Sequence, residues 1–516
     1  MRRRLLLVSL SAVAACDDPG RPEPVDALQL TAPTQYLDVG QTISLDARAT
    51  GTSGESLGSN RIEWRSSDPG VAAVAAGQVT GRAPGEVVIH ASAGGRSDSV
   101  RLTVERPVAS LSVAPDSAVL LPGRSGRLFV DMADASGQPL AHSLALSSSA
   151  PGVVAVEEGG AIRGIAAGSA VVTVRAGLKS AELPVRVVPG DRFRVRVLGT
   201  LGGDTSRANA LNNRREVVGE SRVAGNGAVH PFLWRHGGMV DLGVPAGSSY
   251  GRASDVSDRG EVVGVAHRPH PNPGLLRPVY SAWRWRSGAR SAIEIPGVSL
   301  VSSDMTSVWL DRLALNDSGH VVLEHVSVTS GGGTHVSAST YLARGKGVTR
   351  ITAPGSEDFA DYTAGGINRR GTVAFTRWFD VSYGGTDPVV HLWKDGQTAV
   401  GPRGMVARGI NDHSLVVGRC GTSPNLIGCT WDGSTRRDVP GTTTATAVNG
   451  HGDVLATGAD GKPVLVRGGT LIRLDDAAGV EWEVVTASDL NDWGEISATG
   501  RNRSTGEVRA LLLTPS

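Results

Sequence analysis

The chain is poor in what many functions need. It holds only three cysteines in 516 residues, too few for a disulfide scaffold or a cysteine-built metal cluster. Lysine plus arginine (51) nearly cancels aspartate plus glutamate (50), and no basic block occurs, so the electrostatic footprint of a nucleic-acid binder is missing. Beyond the N-terminus there is no helical periodicity, and the one apolar run falls short of the ~20 residues that span a bilayer. No glycine loop of the phosphate-cradling kind is present, and the twelve histidines show no zinc spacing. GESLG (54–58) and GSSYG (247–251) match a nucleophile elbow only as strings, since no helix follows either. No catalytic residue, metal site or cofactor is expected.

What is present is Gly (68) and Pro (27), spread among short runs of Val, Ala, Leu and Thr. That composition predicts an all-β chain of many short strands, too long for one core.

The start MRRRLLLVSLSAVAAC has a basic head, a short apolar run and small residues before Cys16, the layout of an export signal. VAAC resembles a bacterial lipobox. The resemblance implies cleavage after residue 15, lipidation of Cys16 and attachment to the cell envelope through that anchor, with 16–27 as a proline-stiffened tether.

Two segments, 28–105 and 106–189, repeat one another. WRSSDPGVAAV (64–74) matches LSSSAPGVVAV (146–156), and VTGRAPGEVVIHA (79–91) matches IRGIAAGSAVVTV (162–174). Each predicts a β-sandwich with Trp64, or Leu146 in the second copy, between the sheets. They resemble bacterial immunoglobulin-like group 2 domains, which implies spacing or display.

From 192 to 516 one turn recurs seven times, as LNNRREVV (211–218), VSDRGEVV (256–263), LNDSGHVV (315–322), INRRGTVA (367–374), INDHSLVV (410–417), VNGHGDVL (448–455) and LNDWGEIS (490–497). Asn at the corner can bond the backbone ahead of it, and Gly supplies positive φ. A second strand pair completes each repeat except the last, and FRVRVLGTLGG (193–203) supplies the missing strand at the front. The pattern predicts a seven-bladed β-propeller closed by its N-terminal strand. LGTLGGDTSRANALNNRREVVGES (198–221) resembles the HAF-type extracellular repeat, implying a repeat fold outside the cell.

Cys420 and Cys429 flank one hairpin and are expected to form a disulfide. Strand alternation puts the short turns on one face. The other face receives the insertions, HRPHPNPGLLRPVY (267–280), SLVSSDMTSV (299–308), VSVTSGGGTHVSAS (326–339) and RWFDVSYGGTD (377–387). Trp309, Trp378, Phe379, Tyr383, Trp482, Tyr250 and Tyr362 fall there and are the candidate ligand-binding residues. The expected function is a monomeric, lipid-anchored binding or adhesion protein that takes an envelope polysaccharide or a protein. A propeller glycosidase or polysaccharide lyase using carboxylates such as Asp304, Asp358, Asp361 and Asp380 is the alternative, and a passive envelope scaffold the third.

Overall fold

In the computed structural model, residues 24–58, 62–272, 278–295, 300, 306–330, 334–353, 361–378 and 387–516 are described. The chain is all-β, and its sheets form two compact units. One gathers the chain up to Ser112 with Asp131–Ala145 and Arg175–Ala181. The other gathers Val113–Val130, Leu146–Val174 and Glu182–Ser516. Residues 106–189 are thus shared between the two units.

The first strand, Val25–Thr31, starts inside the expected tether and pairs antiparallel with Asp46–Gly51. Tyr36–Asp38 runs parallel to Arg96–Glu105, which pairs with Gly85–Ala93 and through it with Glu63–Ser66. Alternation along Gly85–Ala93 turns Val87, Ile89 and Ala91 inward, where they meet Leu37, Leu102 and Val104. Trp64 is half-buried against this core. The second copy repeats the pairing scheme. Ala118–Leu120 runs parallel to Lys179–Val187, and Ser125–Arg127 pairs with Ala161–Gly164 as Thr42–Ser44 does with Gln78–Gly81.

From Phe193 onward the described residues form seven four-stranded antiparallel repeats, a propeller-like arrangement. The last repeat, Trp482–Leu490, Ile496–Asn502 and Val508–Pro515, takes Phe193–Val197 as its fourth strand, with Phe193 opposite Pro515. The first strand of each repeat touches the first strand of the next, and that of the seventh touches that of the first. Between neighbours lie apolar layers such as Val218, Leu233, Ala253 and Trp283. Trp234, Trp283, Trp393 and Trp431 are buried in these layers, as third-strand packing requires.

Candidate functional site

The seven turns come together around one cavity of about 160 Å³, lined by the Leu-Asn-Asn type triplet of every repeat. In each turn the corner residue accepts amides from the residues ahead. Asn212 Oδ1 takes Arg214 N at 3.0 Å and Glu216 N at 2.9 Å, and Asn491 Oδ1 takes Trp493 N at 3.1 Å and Glu495 N at 2.9 Å. The fourth turn position has positive φ throughout, in five repeats as Gly and in two as Arg215 (65°) and Ser414 (62°). The Asn side chains also join the repeats. Asn491 Nδ2 donates to Asn212 O at 3.1 Å, Asn212 to Ser257 O at 2.8 Å, Asn316 to Asn368 O at 3.1 Å, and so on round to Asn491. The link is absent only after Ser257, whose short hydroxyl is kept for its own turn at Glu261 N, 3.3 Å.

The next residue of each triplet forms an inner ring with Asp258, Asp317, Asp412 and Asp492. Arg369 crosses it, with Nε 2.6 Å from Asp317 and Nη2 2.7 Å from Asp258. Asn213 bonds Asp258 and, at 3.3 Å, Asp492. Burial and the charge of Asp317 push Asp258 up to about 6. The Asn213 and Arg369 donors are used within the ring, so the ring is a structural feature of the turns.

The strand Ser125–Arg127 meets the turns, with His451 Nε2 2.8 Å from Ser125 O. A Cβ at Gly126 would collide with the Trp493 ring, which is 1% exposed and shares a core with Leu120, Val172 and Leu183. Trp493 Nε1 donates to Asn213 O at 2.8 Å. Arg124 reaches Asp453 at 2.9 Å, and Arg215 bridges Glu495 (2.7 Å) and Asp116 (3.1 Å).

Ahead of its turn, each first strand carries a bulge. At the bulge nearest the turn, six repeats skip one residue: Asn209, Ser254, Gly365, Arg408, Thr446 and Ser488. The third repeat skips Asp311 and Arg312. Asn209, Arg312 and Ser488 each donate to the following repeat's carbonyl at Ala253, Ala364 and Ala208. Beside the bulges stand Asp255 and Asp489. Protein surrounds them, though part of each stays open to solvent. Burial, with the charge of Asp489, pushes Asp255 up to about 7, and burial pushes Asp489 up to about 6. Burial, with Asp311, pushes Glu324 up to about 7.

At the insertion-bearing end, three strands of the second repeat stack Tyr250 on His267 (4.6 Å between centroids) and His267 against Tyr280 (5.6 Å). The Tyr250 hydroxyl donates to Glu220 at 2.6 Å, and burial raises its pKa above the ordinary phenol value. Trp309 and Trp378 are half-buried on the third and fourth repeats, and Trp378 Nε1 donates to Thr363 Oγ1 at 3.2 Å.

Two candidates are corrected. Trp482 is 5% exposed and Tyr362 1%. Both are strand residues whose rings turn into inter-repeat cores, Trp482 with Leu511 and Leu513, Tyr362 against Phe375 at 6.0 Å. Asp361 is also buried, and it accepts the Ala338 amide at 2.8 Å. Phe379, Tyr383, Asp304, Asp358, Asp380 and the lipidation candidate Cys16 lie outside the described residues. Cys420 and Cys429 form a disulfide. No helix among the described residues is long and apolar enough to cross a membrane.

No protein family and no curated protein matches the chain. Among solved structures it is similar to the β-propeller domain of the Trilobed protease from Pyrococcus furiosus, at 11% identity over 80% of this chain and 96% of that one, TM-score 0.31. It is also similar to the Pyrococcus horikoshii acylaminoacyl peptidase, at 11% identity over 60% of this chain and 53% of that one, TM-score 0.39. Domains 4 and 5 of the S-layer protein SbsC align at 21% identity over 32% of this chain and 99% of that one, TM-score 0.16.

Proposed function

We propose that the chain is an exported, lipid-anchored binding protein of the bacterial envelope. In this reading, two immunoglobulin-like domains carry a seven-bladed propeller of HAF-type repeats, closed by Phe193–Val197. The propeller binds an envelope polysaccharide through the insertion-bearing ends of its second to fourth blades.

The observation that carries the binding reading is the placement of half-buried aromatic residues. On the second repeat Tyr250 stacks on His267 and Tyr280 is tilted against it, and Trp309 and Trp378 follow on the next two. Partly exposed flat rings suit sugar rings, and rigid strands hold them at small entropic cost. The seven turns at the other end spend their polar groups on one another, so variation between repeats is concentrated where the aromatics stand. Closure is supported by the Asn491–Asn212 bond and the contact between the first strands of the first and seventh repeats.

The test is calorimetric titration of the full chain with purified envelope polysaccharides, beside a Trp309→Ala/Trp378→Ala variant. Saturable binding lost in the variant is expected. Binding that the variant retains in full contradicts the assignment.

A further inference from the structure

His142 belongs to the repeated segment 106–189, yet its ring lies between two carboxylates of 28–105. Nε2 is 2.7 Å from Asp38 Oδ1. Nδ1 is 3.0 Å from Glu105 Oε2 and 2.9 Å from the Ser143 carbonyl. Asp38 ends the strand Tyr36–Asp38 and Glu105 ends Arg96–Glu105, and the two residues are direct partners in the parallel ladder. The carboxylates are therefore fixed side by side before His142 arrives. The next residue adds to the hold. Ser143 N donates to both Glu105 oxygens at 3.2 Å, and its hydroxyl donates to Oε1 at 2.9 Å. The imidazole is 2% exposed, the Asp38 side chain 5% and the Glu105 side chain 17%. All four residues belong to the first compact unit.

Every neighbour of the two ring nitrogens is an acceptor, and a neutral imidazole has one N–H. With that proton on Nδ1, the Nε2 lone pair faces the Asp38 carboxylate at 2.7 Å. With it on Nε2, the Nδ1 lone pair faces Glu105 and the Ser143 carbonyl. Only the imidazolium gives each nitrogen a donor, and each contact is then a charge-assisted hydrogen bond. No lysine or arginine among the described residues pairs with Asp38 or Glu105. Arg106, beside Glu105, turns to Asp134 at 3.7 Å. Arg175 and Lys179 flank the Gly177 turn that packs on Asp38, and both are exposed. Loss of the proton thus leaves two carboxylates and a lone pair together with no cation between them. The hairpin before His142 is held by backbone bonds, Ala109 N to Ala133 O and Leu140 N to Met132 O, which no proton controls. Residues 141–144 belong to no strand and depend on the side-chain contacts.

We propose that His142 is a proton-dependent clasp, which as an imidazolium between Asp38 and Glu105 fastens residues 141–144 to the first repeated segment and on deprotonation releases them. The direction is fixed by the neighbours. The Ser143 carbonyl, Asp38 and Glu105 outweigh burial and raise the folded pKa above 6.5. The clasp is closed below that raised value and opens as pH rises through it. It is independent of what the propeller-like repeats bind.

The test is hydrogen exchange of the full chain, followed by mass spectrometry across a pH series from about 5 to 9. Protection factors are compared, so that the intrinsic pH dependence of exchange cancels. Wild type is run beside His142→Gln and Asp38→Asn. In wild type the peptide covering residues 141–144 is expected to lose protection about tenfold or more as pH rises, the order of one charge-assisted hydrogen bond. The core strand Gly85–Ala93 keeps its protection throughout. His142→Gln shows the low protection of the open form at every pH. Asp38→Asn, whose side-chain oxygen still accepts from Nε2, shows the same loss at lower pH, because one of the two charges that favour the cation is gone. Wild-type protection of 141–144 that does not change with pH overturns the clasp. A pH-dependent loss that persists in His142→Gln overturns the assignment to His142. Loss of protection along Gly85–Ala93 in step with 141–144 overturns local release, because the whole sandwich is then unfolding.

Discussion

Asn491, in the last turn, donates its side-chain amide to the backbone carbonyl of Asn212, in the first, at 3.1 Å. The two residues are far apart in sequence, and the same bond recurs between consecutive turns. The corner Asn therefore serves twice. Its oxygen shapes its own turn and its nitrogen ties that turn to the next repeat.

The link that Ser257 omits can be restored. Ser257→Asn places an amide where the Asn316 carbonyl faces it, as at the other positions. The expected gain is about 1 kcal/mol, the net worth of one buried hydrogen bond. Denaturant unfolding of the full chain measures it, and a loss of stability contradicts the ring's additive logic.

Trp493 fills the core around Leu120, Val172 and Leu183 while its Nε1 holds the Asn213 carbonyl. Trp493→Ala is expected to cost about 3–5 kcal/mol, as large aromatic truncations in cores do. Gly126→Val should lower stability too, because any side chain there meets the indole. Limited proteolysis should then cut near Ser125 in either variant.

The raised carboxyls predict a pH dependence with a definite sign. Folded Asp255 titrates at about 7, Asp489 at about 6 and Glu324 at about 7. The unfolded groups titrate near 4. Raised folded values favour the protonated native state, so their contribution is greatest below pH ~4 and is lost as pH rises towards 7. Asp255→Asn should flatten the decline in melting temperature between pH 5 and 8, because the amide can still accept the Leu315 amide bonded now at 2.6 Å. An unchanged slope would contradict the assignment.

In the first unit, His142 Nε2 lies 2.7 Å from Asp38 and its Nδ1 lies 3.0 Å from Glu105. Burial alone would lower its pKa, but the Ser143 carbonyl, Asp38 and Glu105 together raise it above 6.5. A raised histidine contributes most below its unfolded value and loses that contribution as pH rises through the folded one. The melting-temperature difference between wild type and His142→Gln should therefore be larger at pH 5.5 than at pH 8. NMR titration of the imidazole checks the shift directly.

Repeat number, the Asn and Gly roles in the turns, and the pairing of Phe193–Val197 with the final strand were legible in the sequence because each rests on local chemistry repeated at a fixed place. The Cys420–Cys429 bond followed from hairpin spacing. Trp482 and Tyr362 were misplaced because both lie at strand starts. There a shift of one residue decides between a surface ring and a core ring. The bulge residues were missed for a related reason. A bulge leaves no mark in a hydrophobic pattern, so strand alternation does not single out Arg312 or Arg408. Aligning the seven turns on their corner residue puts Arg408 in a column with Asn209, Ser254, Leu313, Gly365, Thr446 and Ser488, where it is the one charged residue, and that was the available signal.

The most direct test of the account is a hydrogen-exchange footprint of the full chain with and without an envelope polysaccharide. The account predicts slowed exchange along Tyr250–Val256, Thr306–Leu315 and Val373–Trp378, with the Asn turns at 212, 368, 411 and 491 unchanged. Protection concentrated at those turns, or none anywhere, would contradict it.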